Sequence, residues 1–201
     1  MKQLAIFIML ALLLLSGCTN KANDYDEVQH ISQVLLYYET TLDGLESRAA
    51  NIVRGRISGD SEMIFSRSNN INGRPSPLYS VISLDLTEVI KGELVAGETI
   101  RIIEPFYIDN RILYTRGNYL PSREGQEYVF YLHTPAPESD SASLGIVGAH
   151  FVLHQDRGRY LVPSESQLEA GSFTREELSL GEKDTDIYMN LYQEVIDAYM
   201  K

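Results

Sequence analysis

Three arginines are the side chains best placed to do chemistry. Arg54 and Arg56 lie two residues apart in the alternating stretch Asn51–Ile57, so they project from one side of a strand, opposite Val53, Gly55 and Ile57. Arg101, in the run Thr99–Ile103, adds a third fork if its strand pairs nearby. Guanidinium forks suit carboxylates and phosphates, which makes an anion-binding face one reading of this trio. The other is cross-strand pairing with Glu88, Glu98 or Glu104 on a solvated sheet. His150 and His154 have the spacing of a helical metal pair, but Phe151-Val152-Leu153 between them favours a strand. A strand sets the two rings about 13 Å apart, too far to share an ion. His133 has no partner at any ligand spacing, so no metal or cofactor is expected. Gly-x-Ser-x-Gly, His-Glu-x-x-His and phosphate-binding glycine loops do not occur, and the expectation is a protein that is not an enzyme. Thirteen tyrosines and no tryptophan supply flat apolar bodies with polar tips, suited to glycans, peptides and interfaces. Tyr128 and Tyr131 are expected as core and rim of a strand, and Tyr188, Tyr192 and Tyr199 as docking contacts of a last helix.

The remaining reactive group is the one thiol, Cys18. It follows a single positive side chain at Lys2, an apolar run from Leu4 to Leu15, and the small residues Ser16 and Gly17. That layout is a secretory signal, and the run is too short for a membrane span, which needs about 20 apolar residues. Leu15-Ser16-Gly17-Cys18 resembles the lipobox of bacterial lipoproteins. The resemblance implies that Cys18 carries a diacylglycerol thioether, that residues 1–17 are removed, and that the protein is held at the extracytoplasmic face of a membrane. Each buried CH₂ adds about 0.8 kcal/mol, so two or three acyl chains hold firmly where one would be marginal. A single cysteine also means no intramolecular disulfide.

The formal charge of −11 becomes −12 once Lys2 leaves with the signal. Acid is concentrated in residues 19–47 and 176–201, while the middle holds every arginine and is nearly neutral. So acidic a chain lacks the basic face that nucleic acid requires, which leaves the membrane, through the anchor, and a protein, peptide or glycan as the expected partners.

Residues 18–27 are polar and predict a tether to a single β-rich domain over 28–201. Apolar positions 28, 31, 35, 38, 42 and 45 fit one helical face, broken near Thr40-Thr41, with Thr41 capping a second short helix. An extended conformation for Ile31–Tyr38 is the alternative. Strands are predicted at 51–57, 78–90, 99–103, in a hairpin over 106–114 turned at Asp109-Asn110, and at 127–132, the last central. Residues 61–77 read as a loop or hairpin tip, and Pro135–Ser143 as a surface loop. His150–His154 and Arg159–Val162 read as a hairpin turned at Asp156-Arg157-Gly158, followed by irregular chain to Gly181. Asp184 or Thr185 caps a final helix to about residue 200, with Ile187, Leu191, Val195 and Ala198 on its buried face.

Six or seven short strands between terminal helices predict a small antiparallel barrel or sandwich with its β core at about 50–162. Within that core, Ile52–Ile57, Glu88-Val89-Ile90-Lys91-Gly92, Gly97-Glu98-Thr99-Ile100 and Gly125–Leu132 resemble a pattern of exported bacterial proteins. More faintly, they are similar to the netrin-like domain of tissue metalloproteinase inhibitors, an OB-type barrel. That resemblance implies fold rather than activity. Those inhibitors use several disulfides and a free N-terminal cysteine, whereas Cys18 is alone and expected to be lipidated. The expectation is a non-enzymatic binding or interaction module at the cell envelope. An envelope hydrolase with residues assembled across strands, or a structural subunit of an envelope complex, is the alternative.

Overall fold

The computed structural model describes residues 25–31, 39–59, 61–71, 74–137, 145–181 and 185–200. Ten strands lie among them: β1 (Glu27–Ile31), β2 (Asn51–Ile57), β3 (Glu62–Ile71), β4 (Arg74–Lys91), β5 (Thr99–Glu104), β6 (Phe106–Asp109), β7 (Ile112–Arg116), β8 (Glu127–Pro135), β9 (His150–Val152) and β10 (Arg159–Leu161). Three α-helices, α1 (Leu42–Arg48), α2 (Glu165–Ala170) and α3 (Asp186–Tyr199), also lie among the described residues.

Five strands close into a ring in the order β2-β4-β5-β9-β8, with β8 returning to β2. Only the β5–β9 pair is parallel. This is a small closed Greek-key barrel of OB-like type, as the alternation and turn spacing predict. Its inward residues, among them Val53, Ile57, Leu84, Leu86, Ile102 and Phe130, are fully or almost fully buried. Gly55 sits where β2 and β4 shift register, and a Cβ there would stand 2.8 Å from the Asp85 carbonyl oxygen.

β8 is central because both its faces and both its edges are covered. β2 lies along one edge, and β9 and β10 lie end to end along the other. The expected hairpin at 150–162 is therefore not formed. Leu153 donates to the Tyr131 carbonyl, residues 155–158 make one 3-10 turn, and Arg159 resumes on the same edge opposite Phe130. β9 and β10 are one interrupted strand. Gly158 makes the interruption possible, since a Cβ there would lie 1.8 Å from the Leu153 carbonyl oxygen.

α3 packs over β8 and β10. Its buried face is Tyr188, Leu191, Tyr192, Val195 and Ile196; Ala198 is exposed, so the face is rotated toward the tyrosines from the one the apolar spacing predicts. Tyr131, Tyr160, Tyr188 and Tyr192 form a stacked and edge-to-face array, and Tyr131 belongs to the core rather than the rim. Tyr188 and Tyr192 also donate hydroxyls to the Arg159 and Leu161 carbonyls on the outer edge of β10. Four helical residues rise about 6 Å and two strand residues about 6.6 Å, so the two spacings match.

Thr41 caps α1 as expected, with its hydroxyl accepting from the Gly44 amide. The helical reading fails at 28–31, where β1 instead runs parallel to β7. Residues 27–30 are exposed, so no packed apolar stripe rewards a helix there, while the open edge of β7 offers backbone partners. The rest of that reading, residues 32–38, lies outside the described residues. Of the two readings of 61–77, loop or hairpin tip, the structure has a hairpin, and a long one, formed by β3 and the start of β4. The expected irregular stretch after Pro163 contains α2, opened by a Ser164–Gln167 capping box.

Candidate ligand-binding face

β6 and β7 form a hairpin between the third and fourth barrel strands. Asn110 and Arg111 both take positive φ, the turn geometry that matches strand twist. Arg111 is held by a two-pronged pair to the Asp26 carboxylate, with both contacts at 2.6 Å. The tight turn sets Tyr107 opposite Tyr114, and their rings stack at 4.8 Å and 17°. Alternation puts Arg116 on the same face as Tyr114, while Leu113 and Thr115 are buried behind. Burial pushes the Tyr107 phenol up, assisted by Tyr114 and Asp109 and opposed by Arg116.

Arg116 reaches across to the barrel. Its Nη1 donates to the Tyr79 hydroxyl at 2.9 Å, and its guanidinium carbon lies 4.6 Å from the Tyr79 ring centre. Tyr79 meets Phe151 edge to face at 5.7 Å. A strip of half-buried rings around one guanidinium thus runs over β7, β6, β4 and β9. The Arg116 Nε is buried with no hydrogen-bond partner among the described residues, and no ion pair forms between Arg116 and a carboxylate there. Arg54 and Arg159 have buried Nε atoms of the same kind, but each has a carboxylate close by, at 3.2 and 3.6 Å respectively, which Arg116 lacks among the described residues.

A polar cluster with a fully buried charge pair fixes this strip from beneath. Glu104 ends β5, and its carboxylate accepts from the hydroxyls of Tyr119 and Ser122. Arg159 lies 3.6 Å away, donates to the Leu120 and Ser179 carbonyls at 2.7 and 2.8 Å, and stands 4.1 Å above the Tyr119 ring. Both charged residues are 0 % exposed. Burial raises the Glu104 carboxyl, with Arg159 and the hydroxyl donors partly offsetting it. The cluster ties β5 and β10 to the 117–122 turn, and Arg116 donates its amide to the Pro105 carbonyl. The hairpin is thereby registered against the barrel.

The structure places Arg54, Arg56 and Arg101 on the outer barrel face but does not bring them together. Arg54 pairs with Glu127 at 3.2 Å, a carboxylate also held by Thr87. Arg56 donates to the Gly125 carbonyl. Arg101 lies beyond β4, donates to the Gly145 carbonyl, and has Glu62 at 3.6 Å. Arg54 thus pairs across strands as the alternative has it, but with Glu127; Glu88 stands opposite Arg54 in the β2–β4 register, and among the described residues no ion pair joins the three arginines to Glu88, Glu98 or Glu104. His150 is buried with its Nδ1 against the His133 carbonyl, and no group of three metal-ligating side chains occurs among the described residues. A shallow pocket of about 450 Å³ lies between α1 and α3 near Asp43, Glu46 and Tyr199. Its Lys91 is spent on the Glu46 and Ala49 carbonyls at the end of α1. Cys18 and most of the Pro135–Ser143 loop lie outside the described residues.

Sequence reasoning passed over Arg116 and its tyrosines. A local signal existed: a two-residue turn after Asp109 forces Tyr107 opposite Tyr114 and sets Arg116 two residues on. The approach of Tyr79 is long-range and leaves no such signature. No family model matches the chain, and a search of curated proteins finds no match either.

Proposed function

We propose that this protein is a lipid-anchored, extracytoplasmic binding module, not an enzyme, whose ligand meets the face built by Tyr79, Tyr107, Tyr114 and Arg116. The observation that carries the reading is the Arg116 guanidinium, set among aromatic rings without a carboxylate partner among the described residues. Side chains held this way are already arranged for a ligand and lose little freedom on binding. The anchor half of the reading rests on the lipobox. Cys18 is seven residues from Tyr25, at most about 25 Å of extended chain. The β1-β7-β6 sheet that carries the face is therefore the described part nearest the anchor along the chain.

Two measurements test the two halves. Cys18→Ala should leave an unprocessed precursor that no longer partitions into the detergent phase; normal partitioning of that variant refutes the anchor. Tyr114→Ala should reduce retention of the full-length protein on isolated cell-wall polymer several-fold without unfolding it, and unchanged retention refutes the face.

A further inference from the structure

Resting on that reading, we infer that the face takes a carboxylate-bearing sugar ring, with Arg116 as the carboxylate clamp and the Tyr107–Tyr114 pair as the wall against which the ring lies. Four observations narrow the ligand to this class.

The guanidinium is the source of the selectivity. Nη1 is committed to a neutral phenol oxygen, Tyr79, and Nε has no acceptor among the described residues. Nε–H shares its edge of the guanidinium with Nη2, so once a shift of the side chain opens that buried edge, a carboxylate taking the fork exchanges an unsatisfied donor for a paired one while Nη1 keeps Tyr79. Charge-assisted bonds are about twice as strong as neutral ones, so the exchange favours an anion.

Among the described side chains, Arg116 is also the one cation of the strip. Arg111 on the same hairpin is tied to Asp26, and Arg159 below is tied to Glu104. Phosphate groups are usually met by clusters of arginines, whereas a single planar fork suits a single carboxylate.

β7, which carries Tyr114 and Arg116, is paired on both edges, with β1 on one side and β6 on the other, so these two residues meet a ligand through their side chains and not through the backbone of their strand. The side chains on offer are two parallel rings tipped by hydroxyls. They present a flat apolar surface with hydrogen-bonding ends, which fits a ring that carries C–H bonds on its faces and hydroxyls on its rim.

The net charge of −12 after signal removal sets a further condition. Long-range repulsion from the acidic flanks disfavours long polyanions, so a short or sparsely charged glycan is the better ligand.

The test uses the full-length protein in detergent micelles, titrated with trigalacturonate and, as the uncharged counterpart, galactotriose. Binding is followed by the Arg Nε–Hε NMR resonance of Arg116 and by tyrosine emission, which no tryptophan masks. Trigalacturonate should bind saturably, at least tenfold tighter than galactotriose, and should move the Arg116 resonance. Arg116→Gln should abolish that preference, and Arg116→Lys, a point charge without the fork, should keep only part of it. Arg54→Gln, whose wild-type side chain is tied to Glu127, should bind as the wild type does. Equal affinity for the two sugars, or an Arg116→Gln variant that folds and retains the preference, overturns the carboxylate clamp but leaves a glycan-binding face. Displacement by inorganic phosphate at lower concentration than trigalacturonate overturns the carboxylate assignment. Failure of both sugars to bind at about 10 mM, weaker than any useful affinity, overturns the sugar assignment. The cell-wall retention test of Tyr114→Ala then still decides whether the face binds anything.

Discussion

Removing the cation beneath the face should be far more damaging than removing any surface arginine. Arg159→Met takes away the guanidinium that lies 3.6 Å from Glu104, and with it the donors to the Leu120 and Ser179 carbonyls and to the Ser122 hydroxyl. Breaking one side of a buried pair costs about 3–5 kcal/mol, because the other charge stays desolvated. At about 2–4 °C per kcal/mol for a domain of this size, Tm should fall by about 6–20 °C. Glu104→Gln should cost less, about 1–3 kcal/mol, since an amide oxygen still accepts from Tyr119 and Ser122 and Arg159 keeps its carbonyl partners. The double variant Glu104→Leu/Arg159→Met should be less destabilised than the sum of the singles, as a buried pair exchanged for apolar side chains is often near neutral.

The pH dependence carries a sign of its own. Burial raises the folded Glu104 carboxyl above its unfolded value, so its contribution is full below the ordinary carboxylate range and is lost as pH climbs through the folded value. That loss should extend to higher pH in Arg159→Met, where no cation offsets it, and vanish in Glu104→Gln. Urea melts followed by far-UV circular dichroism at several pH values measure both effects. A cost below about 1 kcal/mol for Arg159→Met, or strict additivity of the pair, refutes the reasoning.

Two smaller changes follow from single contacts. Gly158→Ala forces a methyl into the Leu153 carbonyl and should cost at least about 1–3 kcal/mol, read as a lowered urea midpoint with unchanged slope. Tyr160→Phe should be neutral or stabilising by up to about 1 kcal/mol, because its hydroxyl is buried with no hydrogen-bond partner among the described residues; a loss above that size would reveal a partner.

Local signals were readable in the chain and long-range ones were not. β2, β5 and β8 show in alternation and apolar runs, the β6–β7 hairpin in Asp109-Asn110, and the start of α1 in Thr41. The Ser164–Gln167 capping box that opens α2 was equally local and was missed. Asp156-Arg157-Gly158 reads like a hairpin turn whether the chain reverses or continues, and the deciding partner, β8, lies some twenty-five residues upstream. Arg54 and Arg56 are legibly on one side of a strand, yet their surroundings come from β8 and the Gly125 turn. Arg116 acquires its setting only when β4 delivers Tyr79 from thirty-seven residues away.

The two phenols that α3 lays on β10 would matter most if the barrel is crowded on a membrane by the proposed anchor. Proteins confined to a plane collide far more often than the same number in bulk, and a bare strand border is where such collisions turn into zippered aggregates. Here Tyr188 and Tyr192 plug the acceptors of that border, one hydroxyl per outward-facing carbonyl. A plug made of side chains offers a neighbour nothing to extend. That border of the barrel is therefore closed to strand addition.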